Sequence, residues 1–277
     1  MEPYVIVFGL LSAVFWGAGD FCGGVASKKN EVLSVATLAQ IIGLFILALA
    51  AILFNESIPN IENLIWGALA GLAGGLGIIA LYQALTIEKM GIVAPVTAVS
   101  SALVPVVFGI IKEGIPASIQ ILGFLFALMG VWLISREENS SAIHIESLKL
   151  PLLAGFGFGS FMVLIDQVSG DGILWPLVGA RVASVSMFLL AGTYKGGTKM
   201  PKPKYMPLIV LTGIGDAAGN VFYTMAAQAG RIDIAAVLSS LYPAATVILA
   251  WLFINERLTP RQWSGVGFAM LAVVLIS

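Results

Sequence analysis

The sequence predicts an all-α integral membrane protein with ten transmembrane helices, arranged as two inverted five-helix repeats. Three observations predict it. The chain is 59% hydrophobic and only 10% charged over 277 residues, whereas a soluble domain carries about 25% charged residues. Its apolar residues gather into ten runs, each near the roughly 17–25 residues needed to cross a bilayer. A shift of 142 residues lays the second five runs over the first five.

The runs are Tyr4–Val25, Leu33–Phe54, Leu64–Leu85, Ile92–Ile111, Ala117–Ile134, Leu150–Val168, Ile173–Tyr194, Met206–Ala229, Ile232–Ile254 and Pro260–Ser277. The first follows Met-Glu-Pro. It has no basic n-region and is too long for a signal h-region, so it reads as a retained helix. Short polar breaks such as KKNE, NESIPNIE, KEG and NER separate most runs. Two breaks are longer, REENSSAIHIESLK and KGGTKMPKPK. No alternating barrel pattern is present, which leaves helices as the spanning structure.

The first repeat occupies residues 1–137 and the second 145–277. Under the shift, Trp16-Gly17 falls on Phe158-Gly159, Gly71 on Gly213 and Gly77 on Gly219. Gly123, Phe126, Ala127, Val131 and Leu133 fall on Gly265, Phe268, Ala269, Val273 and Leu275. A five-span unit ends on the side opposite its start, so its copy enters the membrane upside down. Eleven Lys and Arg residues sit in one set of loops and two, Lys112 and Arg231, in the other. The rich set is expected to be cytoplasmic, with both termini outside a cell membrane.

Net charge is −1, with one cysteine (Cys22) and one histidine (His144). No field favours nucleic acid, and no disulfide, metal site or cofactor is expected. The chemistry rests on four ionisable residues inside the runs: Asp20, Asp166, Arg181 and Asp216. Facing lipid, each costs about 2.5–3.5 kcal/mol, so they are expected to face the bundle, pair or protonate. Arg181 needs a carboxylate, and Asp166, Asp216 or a solute's own carboxylate are the candidates. Thr212, Asp216, Asn220 and Tyr223 share one helix face. Thr97, Ser100 and Ser101 form a polar stripe on the fourth run, and Ser239, Tyr242, Pro243 and Thr246 another on the ninth. Tyr82 and Gln83 are the polar residues of the third run, beside Gly67, Gly71 and Gly75, whose spacing suits close packing. Trp16 and Asp20 stand in the stretch GAGDFCGG and its flank. Asp20 is about 10 Å from the end of its helix at 1.5 Å per residue, and is expected to point into the bundle.

Several motifs resemble those of the EamA family of the drug/metabolite transporter superfamily. They are Trp16-Gly17, Leu241-Tyr242-Pro243, Arg181, and Asn255-Glu256-Arg257-Leu258-Thr259 followed by Gln262-Trp263 and Gly265. The first half departs from the pattern: Ser100-Ser101 stands where the second half has Tyr242-Pro243, and Gln40 lies near the place of an arginine. The resemblance implies transport, usually export, of small metabolites without identifying which. The solute expected is a small amino acid, a related metabolite or a drug-like compound.

The expected site is a central cavity lined by helices 1, 3, 4, 6, 8 and 9. Its candidate residues are Trp16, Asp20, Tyr82, Gln83, Thr97, Ser101, Arg181, Asp216, Asn220, Tyr223, Ser239 and Tyr242, with Asp216 and Asp20 as candidates for proton coupling. The partners are a small-molecule substrate, the bilayer and a proton; the sequence does not speak to a homodimer. Two rivals stand beside export: uptake of a sugar or nucleoside in the same fold, and a lipid-carrier flippase or other non-transport membrane protein. No nucleophile–base pair marks an enzyme.

Overall fold

The computed structural model describes residues 3–88, 90–135, 145–168, 172–194, 196–197, 199–246, 249 and 259–276. Lys89, Arg136, His144, Lys195, Trp251 and the 255–258 part of the last motif lie outside them. The described chain is helical, with no strand among the described residues. Its helices are α1 (Pro3–Ser27), α2 (Val32–Leu53), α3 (Ile61–Ile87), α4 (Met90–Glu113), α5 (Ser118–Ser135), α6 (Ile145–Asp166), α7 (Leu174–Tyr194), α8 (Met206–Ala229), α9 (Ile232–Ser239) and α10 (Pro260–Ile276).

Seven of them, α1–α4 and α6–α8, are long and apolar enough to cross a membrane. The segments Ser118–Leu133 and Ile232–Thr246 are apolar but shorter. The expected ninth run is corrected here. It is not one smooth helix: α9 stops at Ser239, Ser240-Leu241 form a turn, and helix resumes at 242–246. The cause is local. Pro243 has no N–H to return to the Ser239 carbonyl, so the ladder breaks one turn before it.

Polar residues at the helix ends explain where several elements start. Asn60 accepts from the Asn63 amide at 2.9 Å and caps α3. Thr259 and Gln262 bond reciprocally at the start of α10, a capping box. The Glu56 carboxylate takes the amides of Ile173, Leu174 and Trp175 at 2.9–3.2 Å, anchoring the α7 N-terminus with a charge of the favoured sign.

Contacts between connections join like ends of the bundle. At one end Glu56 meets the start of α7, Lys112 meets Asp166 at 3.0 Å, and Arg231 donates to the carbonyls of Glu113 and Gly114. At the other, Asn30 and Glu31 accept from the amides of Lys202 and Lys199. Successive helices therefore run up and down between two ends.

The packing is close where glycine permits it. α1 packs on α8 and α3 on α6; α3 packs on α7 and α2 on α8. α4 lies on α6 and α1 on α9, while α2–α7, α4–α9 and α5–α10 pair with each other. Moving each helix five places along the chain maps this set of pairs onto itself. The detail follows the same rule. A Cβ on Gly71 would run into the Ala180 backbone, and one on Gly213 into the Ala39 carbonyl; Gly77 lies under the Phe158 ring and Gly219 under the Trp16 ring. The outward faces carry large apolar side chains, among them Phe45, Leu53, Phe156 and Leu190, all exposed. Such faces suit hydrocarbon.

Candidate functional site

Helices α1, α2, α3, α4, α6, α7 and α8 and the helical segment 242–246 that follows α9 enclose a cavity of about 60 Å³. It has room for a few waters or a small polar group. The expected walls on helices 1, 3, 4, 6, 8 and 9 are present, and α2 and α7 add Gln40 and Arg181. Its apolar surface comes from Ile78, Phe158, Phe161 and Met162, and its polar groups converge from both halves of the chain.

Arg181 is the anchor. It is buried, and its Nη1 donates to Asp216 Oδ2 at 2.7 Å and to Gln40 Oε1. Gln40 uses its other end to donate from Nε2 to the same Asp216 oxygen at 2.6 Å. Ser184 donates to Gln40 Oε1 at 2.9 Å. Gly43 leaves room for the guanidinium: a Cβ there would lie 3.3 Å from Arg181 Nε. Of the two carboxylates the sequence offered to Arg181, Asp216 is its partner. Asp166 sits at the end of α6 with Lys112.

This pairing uses only part of the arginine. Nε and Nη2 are buried and find no acceptor among the described residues. The Tyr242 hydroxyl is in the same position, buried and unpartnered. Both side chains line the cavity. Asp20 lines it as well, half-buried, with no hydrogen bond or ion pair among the described residues. Trp16 is fixed one turn earlier: its Nε1 donates to Asn220 Oδ1 at 2.8 Å, and its ring stacks on Tyr223 at 5.6 Å between centroids.

Eight expected site residues therefore come together: Trp16, Asp20, Tyr82, Ser101, Arg181, Asp216, Asn220 and Tyr242. Four do not line the cavity. Thr97 is buried and donates to the Pro151 carbonyl at 3.2 Å, tying α4 to α6. Ser239 donates to Gly9 at 3.4 Å, tying α9 to α1. Tyr223 lies behind Trp16 and donates to the Met162 carbonyl at 3.3 Å. Gln83 is half-buried on α3, where its carbonyl accepts from the Thr86 hydroxyl. The polar atoms of Thr97, Ser239 and Tyr223 serve helix contacts. Gln40 is a cavity-lining polar residue the candidate set omitted. Its signal was its place near the position of an arginine in the other half.

Away from the cavity, Arg231 also holds Asp233, donating to Oδ2 at 2.7 Å. That hydrogen bond raises the Arg231 pKa further, so the link between the two connections stays charged.

The sequence profile of the EamA-like transporter family matches twice, over residues 3–136 and 147–277. YxfA of Lactococcus lactis subsp. lactis, named for sugar uptake, is 21% identical, over 97% of this chain and 95% of its own. The uncharacterized transporter YwfM of Bacillus subtilis is 24% identical, over 98% and 93%. The uncharacterized inner membrane transporter YicL of Salmonella typhimurium is 23% identical, over 97% and 93%. A solved crystal structure superposes on the whole chain and 97% of its own with a TM-score of 0.79 at 15% identity, which shows a shared fold. The chain belongs to the EamA-like transporter family and is a multi-pass membrane protein of the drug/metabolite transporter type.

Proposed function

We propose that the protein is a secondary transporter of the cell membrane that exports a small zwitterionic metabolite, of the amino-acid class, by alternating access. In this reading it has ten crossings, two inverted repeats over 1–137 and 145–277, and both termini outside. The paired packing of Gly71 with Ala180 and Gly213 with Ala39 supports the repeat. The joining of like-ended connections supports the crossings.

One observation carries the solute class. A cavity in mid-bundle presents an unused donor edge, Arg181 Nε and Nη2 with the Tyr242 hydroxyl, together with an unpartnered carboxylate, Asp20. Each buried donor without an acceptor costs about 1–3 kcal/mol. A solute carboxylate at Arg181 removes that cost, and its ammonium group meets Asp20. Such contacts are charge-assisted and are the stronger kind of hydrogen bond. Rocking one half against the other then exposes the site to each side in turn.

A second reading is favoured by the sugar-uptake names of several relatives. The rings of Trp16, Phe158 and Phe161 beside Gln40 and Asn220 suit a sugar face and its hydroxyls. Flux into vesicles holding the purified protein separates the two. Labelled amino acids are expected to move and to stop moving in Arg181→Gln; movement of monosaccharides alone would replace the first reading by the second.

A further inference from the structure

The two cavity carboxylates are held in opposite ways. Asp216 Oδ2 accepts from Arg181 at 2.7 Å and from Gln40 at 2.6 Å. A proton on Asp216 would remove the countercharge of Arg181 and compete with both donors. Asp20 accepts from nothing among the described residues. The charged groups lining the cavity are two carboxylates and one guanidinium. With the pair made, one negative charge is left over in apolar surroundings, where it must be met by a proton or a cation.

The glycines flanking Asp20 fix what surrounds it. Gly17 lies against the Tyr242 carbonyl, Gly19 against the Asp216 backbone, and Gly23 against the Tyr82 hydroxyl. Three elements thereby close around Asp20: the helical segment 242–246, α8 and α3. The titratable and charged groups they bring are Tyr242, Asp216 and Tyr82. Arg181 faces the same cavity from α7, α2 brings the neutral Gln40, and Cys22 lies on α1 itself. Arg181 is the one cation lining the cavity among the described residues, and its charge is already matched by Asp216. Trp16, one turn before Asp20, also lines the cavity, and an aromatic ring is a group to which organic cations are attracted.

We infer that Asp20 is the proton-exchanging carboxylate of the cavity, and that the ammonium group of an amine solute displaces its proton. The step balances. Asp20 as carboxylic acid plus an alkylammonium gives the carboxylate–ammonium pair and one released proton, and the cavity's net charge is unchanged. One proton is then exchanged for each amine carried, while Asp216 stays ionised and holds Arg181. This rests on reading the cavity as a transport site, and it names Asp20 rather than Asp216 as the coupling group.

The test uses the full chain in detergent and N,N′-dicyclohexylcarbodiimide, which modifies protonated carboxyls in apolar surroundings, with the modified residue mapped by mass spectrometry. Asp20 is expected to be labelled and Asp216 not. Labelling should fall at least about ten-fold as pH rises from about 5 to about 9, a range that spans shifted carboxylates. High methylammonium chloride should protect Asp20, and the same concentration of sodium chloride should not. Asp20→Asn should lose the label. Label on Asp216, or label on Asp20 that ignores pH, overturns the assignment; absence of protection by methylammonium overturns the amine. Failure of the transport reading is separate: vesicles would carry no solute although labelling behaves as expected.

Discussion

The two halves of the chain pack alike and differ in the chemistry they send to the cavity. The second half supplies the ion pair, Arg181 and Asp216. The first half has Gln40, 141 positions before Arg181, and Gly74, 142 before Asp216. Conversely, Asp20 stands where the second half has Met162. All six residues line the same cavity. What the halves share is close helix packing. Where they differ, a donor edge, a fixed carboxylate and a free carboxylate arise in one small space. A fully symmetric pair of halves would place like charges across from each other.

The largest effect expected is at the ion pair. Arg181→Ala leaves Asp216, whose side chain is 21% exposed, with only Gln40. A fully buried pair that loses one partner costs about 3–5 kcal/mol, and this part-buried one is expected near the lower end of that range. Thermal unfolding in detergent should show it as a large drop in midpoint. The double variant Arg181→Met with Asp216→Leu should recover most of that stability, because apolar replacement of a buried pair is often neutral. It should not recover transport. A double variant that transports normally would remove the pair from the site.

The packing side of the comparison predicts a middle-sized effect. Gly71→Ala drives α3 off the Ala180 backbone, and Gly213→Ala drives α8 off the Ala39 carbonyl. Each should cost about 1–3 kcal/mol, the range for overpacking. Gly267→Ala, with open space around it, should change stability by less than about 0.5 kcal/mol. Unequal costs at Gly71 and Gly213 would weaken the equivalence of the halves. The smallest effect is expected at Lys112→Ala. Its partner Asp166 is mostly covered but Lys112 is half exposed, so the melting shift should correspond to less than about 1 kcal/mol.

Much of the fold was legible because the bilayer sets a length and lipid excludes charge, so spans and breaks can be read from composition. The interruption at Ser240-Leu241 was hidden by an apolar run that continues through it. Only Pro243 marked it, and proline also occurs inside intact helices here, as Pro151 does in α6. At the site, residues with charge could be found in sequence, since Asp20, Arg181 and Asp216 have no inexpensive place except the bundle interior. Neutral polar residues could not be sorted in the same way. Thr97 and Ser239 fasten helices to each other, while Ser101 lines the cavity. A hydroxyl on an apolar helix looks identical in either role. Gln40 shows the reverse case: a single amide in a long apolar run, whose meaning lies in Arg181 and Asp216, far along the chain.

The central claim is that the asymmetric cavity moves a zwitterion against a proton bound at Asp20. The most direct measurement is efflux of a labelled amino-acid pool from vesicles reconstituted with the protein, with and without an imposed pH gradient. Wild type should release label faster when the gradient drives protons inward. Asp20→Asn should retain a folded melting profile and lose the gradient dependence. Efflux that is equally fast without a gradient, and unchanged in Asp20→Asn, would contradict the account.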